Sequence, residues 1–172
     1  MAGAVKRARH EGPMAIGPAS GLATDLAGRL RKEGRPIRIG LIGSGEMGTD
    51  IVTQCDQMTG ITVAAIAEIN IDAAKKALRI AGRPPESFAV ADSKNAFDAT
   101  LKRGMTALTN DALAVCTNDQ IDVIIDATGR PAVEAEIGLA AMQHGKHLVL
   151  MNVEADVTIG AYLAQEASRL GV

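Results

Sequence analysis

The chain has 172 residues, 47% of them apolar and 22% charged, which suits one domain with a sizeable apolar core and excludes a disordered chain. Its 18 basic and 20 acidic residues give a net charge of −2, and aromatics are only 2%, so neither the basic surface nor the stacking platforms of a nucleic-acid binder are present. No apolar run reaches the ~20 residues of a membrane span, and Lys6, Arg7 and Arg9 are not followed by the apolar region of a secretion signal, so a cytoplasmic protein is expected.

Residues 1–18 are small, punctuated by Gly and Pro, and aperiodic; they read as a flexible lead-in. Residues 19–35 predict an N-terminal helix. Leu22, Leu26 and Leu30 recur at helical spacing, Ser20 is a candidate N-cap, and Gly34 and Pro36 end the run. Residues 36–172 then alternate between two periods. Strands are predicted at 37–42, 61–67, 106–109 (short and weak), 121–127 and 147–151. Helices are predicted at 46–58, 71–81, 92–103, 111–117, 131–144 and 157–170, the last with Asp156 as N-cap. Cys55 and Cys116 fall in helical segments and read as buried free thiols rather than a disulfide framework.

Strands that read as continuous apolar runs between helices imply a parallel sheet covered on both faces. The expected fold is α/β, a doubly wound parallel sheet of about five strands in the order 3-2-1-4-5.

The first strand runs into Gly43-Ser44-Gly45-Glu46-Met47-Gly48, which opens a helix, and Glu68 ends the second strand. This G-x-G-x-x-G sits in the context that gives it meaning: strand, turn, helix, strand, acid. Gly43 permits the tight turn, Gly45 lets a pyrophosphate approach the backbone, and Gly48 lets the helix pack on the strand. The amides and dipole of the helix start stabilise phosphate charge. Residues 43–48 and Glu68 are therefore the candidate dinucleotide site of a Rossmann-type domain, with Glu68 on the adenosine ribose. Its carboxylate argues for NADH over NADPH. Lys75, Lys76, Arg79 and Arg83 downstream read as a solvated helix face, with the alternative that a loop folds one of them back to a 2′-phosphate, so the cofactor is NADPH or NADH.

Ligands of open parallel sheets lie outside the carboxyl ends of the strands. Thr128 and Gly129, after the fourth strand, are thus expected against the cofactor. Asn152 and Glu154, after the fifth, are the candidate catalytic residues facing its nicotinamide half or the substrate. His144, Lys146 and His147 fall at the opposite end of the sheet; the histidines read as structural and Lys146 as solvated. No metal-ligand cluster is evident.

The stretches IRIGLIGSGEMG, DVIIDATG and GKHLVLMNVEADVTIG resemble the N-terminal half of homoserine-dehydrogenase-like oxidoreductases. Within these they look most like the 1-deoxy-D-xylulose 5-phosphate reductoisomerase-like branch, the last stretch being the more specific. The resemblance implies an NAD(P)-dependent enzyme acting on a small carbonyl or sugar phosphate, homo-oligomeric at full length and serving isoprenoid biosynthesis. It also implies a catalytic half, with any divalent metal, that is absent from this chain. One departure bears on the substrate. Homoserine dehydrogenases carry a Lys after the Asn that Asn152 matches, and Val153 stands there. A non-catalytic nucleotide-sensing domain is the alternative reading.

Overall fold

The computed structural model describes residues 21–172; the expected lead-in at 1–18 and Ser20 lie outside them. The elements are α1 (Leu22–Glu33), β1 (Ile37–Ile42), α2 (Glu46–Cys55), β2 (Ile61–Ala67), α3 (Ile71–Ile80), a 3-10 turn (Pro85–Ser87), β3 (Phe88–Val90), α4 (Lys94–Lys102), β4 (Thr106–Thr109), α5 (Ala112–Cys116), β5 (Val123–Asp126), α6 (Pro131–Gln143), β6 (His147–Leu150) and α7 (Val153–Leu170).

The six strands form one parallel sheet in the order β3-β4-β2-β1-β5-β6. The five expected strands keep their expected order. The count is corrected by β3, three residues that pair only with β4 at the edge. So short a strand leaves no apolar run to read.

Each face of the sheet carries its own core. Leu41, Val63 and Ile66 pack with Val52 of α2 and Leu78 of α3. Ile42, Ala65 and Ile124 pack on the other side with Phe97 of α4, Val115 of α5 and Ile137 of α6. Close packing here depends on Gly40, because a Cβ there would fall within 3.0 Å of side chains of Val115 and Ile124.

Several boundaries differ from the sequence expectation. Gly21, not Ser20, precedes α1 as N-cap. α2 stops at Cys55 because the Gln57 and Met58 amides bond three residues back, to Gln54 and Cys55, and Gly60 then turns the chain at φ 93°. α7 starts four residues earlier than expected. The Asn152 side chain accepts the Glu154 N–H at 2.9 Å, so Asn152 is the N-cap and Asp156 lies inside the helix. Lys146 is buried rather than solvated: its N–H bonds to Ala141 O, folding the turn after Gly145 back onto α6. Arg83 is not on a solvated face either; it pairs with Asp56 and bonds to Thr106 Oγ1 and Val63 O.

Asp122 joins the start of β5 to the chain entering β1. It accepts from Arg35 at 2.7 and 2.9 Å and from the Arg38 N–H at 2.8 Å. Burial raises its carboxyl, but Arg35 and the Arg38 amide outweigh that and hold it below the ordinary carboxylate range. Its contribution is therefore present at neutral pH and lost as pH falls through that lowered value. Asp122→Ala is expected to cost ~1–2 kcal/mol, modest because the pair is partly solvated, measured by urea unfolding at pH 7.

Candidate functional site

The strand registers align Ile42, Ala67, Asp126 and Leu150, with Thr109 beside Ala67. Five strands thus end level, and the turns that follow them emerge along one edge. β1 is central: β2 lies on one side of it and β5 on the other, and the chain crosses between them. This is the switch point at which such sheets bind ligands.

Gly43 leaves β1 at φ 90°, and a Cβ there would press on Ala127 O. Gly48 is buried against the Gly43 carbonyl, which a Cβ would meet at under 3.0 Å. Gly45 is different. It is exposed, its φ of −63° suits any residue, and a Cβ there would meet nothing within 4 Å. No protein contact explains this glycine. The space beside it faces the first turn of α2, whose leading N–H groups have no partner within the helix. A pyrophosphate fits that space and those donors.

Glu68 clamps the turn. One carboxylate oxygen accepts from Ser44 N–H at 2.7 Å and Ser44 Oγ at 2.9 Å, and the other from Asn70 N–H at 3.1 Å. Ser44 is thereby buried, whereas Glu46 and Met47 are exposed on the first turn of α2.

Two clefts flank the turn. One of about 370 Å³ is walled by Gly43, Gly45, Glu68, Asn110 and Thr128. The other, of about 270 Å³, is walled by Met47, Gly129, Asn152 and Glu154. Ala127 borders both. The structure therefore gathers every sequence-predicted site residue along this edge: Gly43, Ser44, Gly45, Glu46, Met47 and Gly48 in the turn, Glu68, Thr128 and Gly129 beside it, and Asn152 with Glu154 at the start of α7. The Thr128 turn is held by Asp126, whose Oδ1 accepts the Thr128 N–H at 2.8 Å.

A second carboxyl behind this turn escaped the sequence reading. Glu134 of α6 is fully buried. Burial, then the neighbouring Asp126 charge, pushes its carboxyl up to about 7, with the Asn152 amides offsetting part of the rise and Glu154 adding to it. A signal was there: Glu134 shares a helical stripe with Ile137, Gly138 and Ala141, an apolar face on which a charge is out of place.

Both cysteines are free and buried, as expected. Burial, with Asp126 and Asp111, pushes the Cys116 thiol up to about 12, and burial raises Cys55, so neither offers a thiolate. Among the described residues no cluster of three His, Cys, Asp or Glu could hold a metal, and no helix is long and apolar enough to cross a membrane.

Residues 43–172 match the family "Homoserine dehydrogenase, NAD binding domain". A homoserine dehydrogenase from Methylobacillus glycogenes is 29% identical over 118 residues, 69% of this chain and 25% of that protein. A solved homoserine dehydrogenase from Thiobacillus denitrificans superposes with a TM-score of 0.60 at 22% identity, covering 80% of this chain and 28% of that one. A solved biliverdin reductase from Synechocystis, in complex with biliverdin and NADP+, superposes with a TM-score of 0.59 at 20% identity, covering 79% and 36%. The chain thus spans about a quarter of the length of the first curated relative it matches. From the glycine turn to the last helix, the chain belongs to the homoserine dehydrogenase NAD-binding domain family.

Proposed function

We propose that this chain binds NAD(H), in preference to NADP(H), as the cofactor-holding part of an oxidoreductase acting on a small carbonyl or sugar phosphate. The observation that carries this is Gly45, a glycine in the turn at the switch point that no protein contact requires. Gly43, Ser44, Gly45, Glu46, Met47 and Gly48 would hold the pyrophosphate. Glu68 would take the adenosine ribose hydroxyls with the lone pairs left beyond Ser44 and Asn70. Thr128 and Gly129 would border the cofactor between its two halves.

When bound, the nicotinamide supplies or takes the hydride. The chain's own residues place that ring and shield it. Glu154, exposed at the first turn of α7, is the group that would hold or release a proton, and Asn152, buried with its Oδ1 capping α7 and its amide turned to Glu134, would position the turn that carries Glu154. Val153, exposed where homoserine dehydrogenases carry Lys, speaks against homoserine as substrate. The stretch MNVEADVTIG supports the reductoisomerase-like branch instead.

Fluorescence titration with NADH and NADPH tests the reading. NADH is expected to bind well below ~1 mM, that is, more tightly than about −4 kcal/mol. No binding of either nucleotide in that range overturns it. The preference rests on Glu68, whose charge repels a 2′-phosphate, while the Arg83 cation is committed to Asp56 and Thr106. Glu68→Gln is expected to narrow the NADH-over-NADPH affinity ratio by about tenfold, ~1.4 kcal/mol; an unchanged ratio means the carboxylate does not set it.

A further inference from the structure

The carboxyl end of β5, the turn after it and the start of α6 each bury a polar side chain. Asp126 Oδ2, Thr128 Oγ1 and both oxygens of Glu134 are buried with no hydrogen bond of ordinary geometry, the Asn152 amides lying near enough to Glu134 to favour its charged form. Asp126 follows Ile124 by two residues, so it faces the same side of the sheet as α5 and α6. Two ionised carboxylates together supply acceptors and no donor. A single proton on Glu134 gives the two carboxyls a donor of their own, beside the Thr128 hydroxyl and the Asn152 amides, and removes the like-charge repulsion.

The place of this set gives it consequence. Asp126 holds the Thr128 turn through its other oxygen, and Asn152 starts α7 by capping Glu154. Glu134 is near both, close enough for the Asp126 charge and the Asn152 amides to act on it. Gly129 from one turn and Asn152 and Glu154 from the other wall the same cleft.

We propose that Glu134, as a neutral acid, is a positioning residue that donates a hydrogen bond to the Asp126 carboxylate and so couples the Thr128–Gly129 turn to the Asn152–Glu154 turn. Its effect on the nicotinamide rests on the dinucleotide reading above; the coupling of the two turns does not.

Glu134 titrates near neutrality because burial and Asp126 push its carboxyl up to about 7. Facing it are Asp126 from β5 and Glu154 from α7, which raise it, and the Asn152 amides, which oppose them. From α5, Cys116 is a thiol raised by burial and by the Asp126 charge, and from β6 Leu148, an apolar side chain, packs over Gly138 of α6. The folded pKa lies above the ordinary 4.5, so the neutral form's stabilisation is complete below 4.5 and is lost as pH rises through about 7.

Hydrogen exchange of the Thr128, Gly129, Glu154 and Ala155 amides, expressed as protection factors without ligand, tests the coupling. Protection is expected to drop about tenfold between about pH 6 and about pH 8.5 in the wild type. In Glu134→Gln, which keeps a donor and cannot ionise, it is expected to stay within about twofold, and NADH affinity is expected to follow the same pattern in both proteins. A wild type without pH response, or a response shared by the Gln variant, overturns the proposal. Should the Gln variant fail to fold, Asp126→Asn decides: removing that charge is expected to move the midpoint of the response down by about one pH unit, and an unmoved midpoint overturns the proposal. Exchange is read without nucleotide, so a failure to bind NADH at any pH refutes the dinucleotide reading and leaves this test standing.

Discussion

Gly45→Val is expected to abolish nucleotide binding while the domain stays folded. A Cβ at this position meets nothing within 4 Å, and the backbone angles are ordinary, so the protein itself has room for the side chain. The cost to folding is the poorer N-cap alone, ~1 kcal/mol. The branched side chain fills the space beside the first turn of α2 that a pyrophosphate needs. NADH affinity is expected to fall at least ~100-fold, ~2.7 kcal/mol, in a fluorescence titration, with a near-normal urea midpoint. Unchanged affinity would place the nucleotide elsewhere.

Gly48→Ala, only three residues on, is expected to do the reverse. Its Cβ falls under 3.0 Å from the Gly43 carbonyl oxygen, a backbone atom that cannot swing aside. α2 must move off β1, and overpacking of this kind costs about 3 kcal/mol. Urea unfolding should show a lowered midpoint at an unchanged slope, since the surface exposed on unfolding is the same. A normal midpoint would mean that helix and strand are less tightly joined than the approach of Gly48 to the Gly43 carbonyl requires. The two substitutions together separate the glycine that serves the ligand from the glycine that serves the fold.

The strands were legible because a sheet covered on both faces writes apolar runs into the chain. IRIGLI and ITVAAIA gave their bounds to the residue. The four residues at 106–109 read as weak yet are all buried, in a strand paired on both sides. Burial there comes from neighbours distant in sequence, which local pattern does not carry. The start of α7 was misplaced because Asn152 and Asp156 are both good caps, and only the fold decides which amides each one faces. Arg83 read as solvated since its partners, Asp56 and Thr106, are 27 and 23 residues away. In the candidate site, the glycine turn, Glu68 and the ends of β5 and β6 were readable as positions along one edge. What Glu68 grips was not, since its hold on Ser44 spans 24 residues.

Ala127 is the single residue common to the walls of both clefts. Beyond it, one cleft is built on the end of β2, α5 and α6 and the other on the turn after β6 and the start of α7. The turns that wall them spring from strands spaced by the lateral repeat of the sheet, ~4.8 Å per strand, which sets the gap from which they start. The edge behaves as a ruler: it measures a guest end to end, and half a guest would leave one side of the gauge unread.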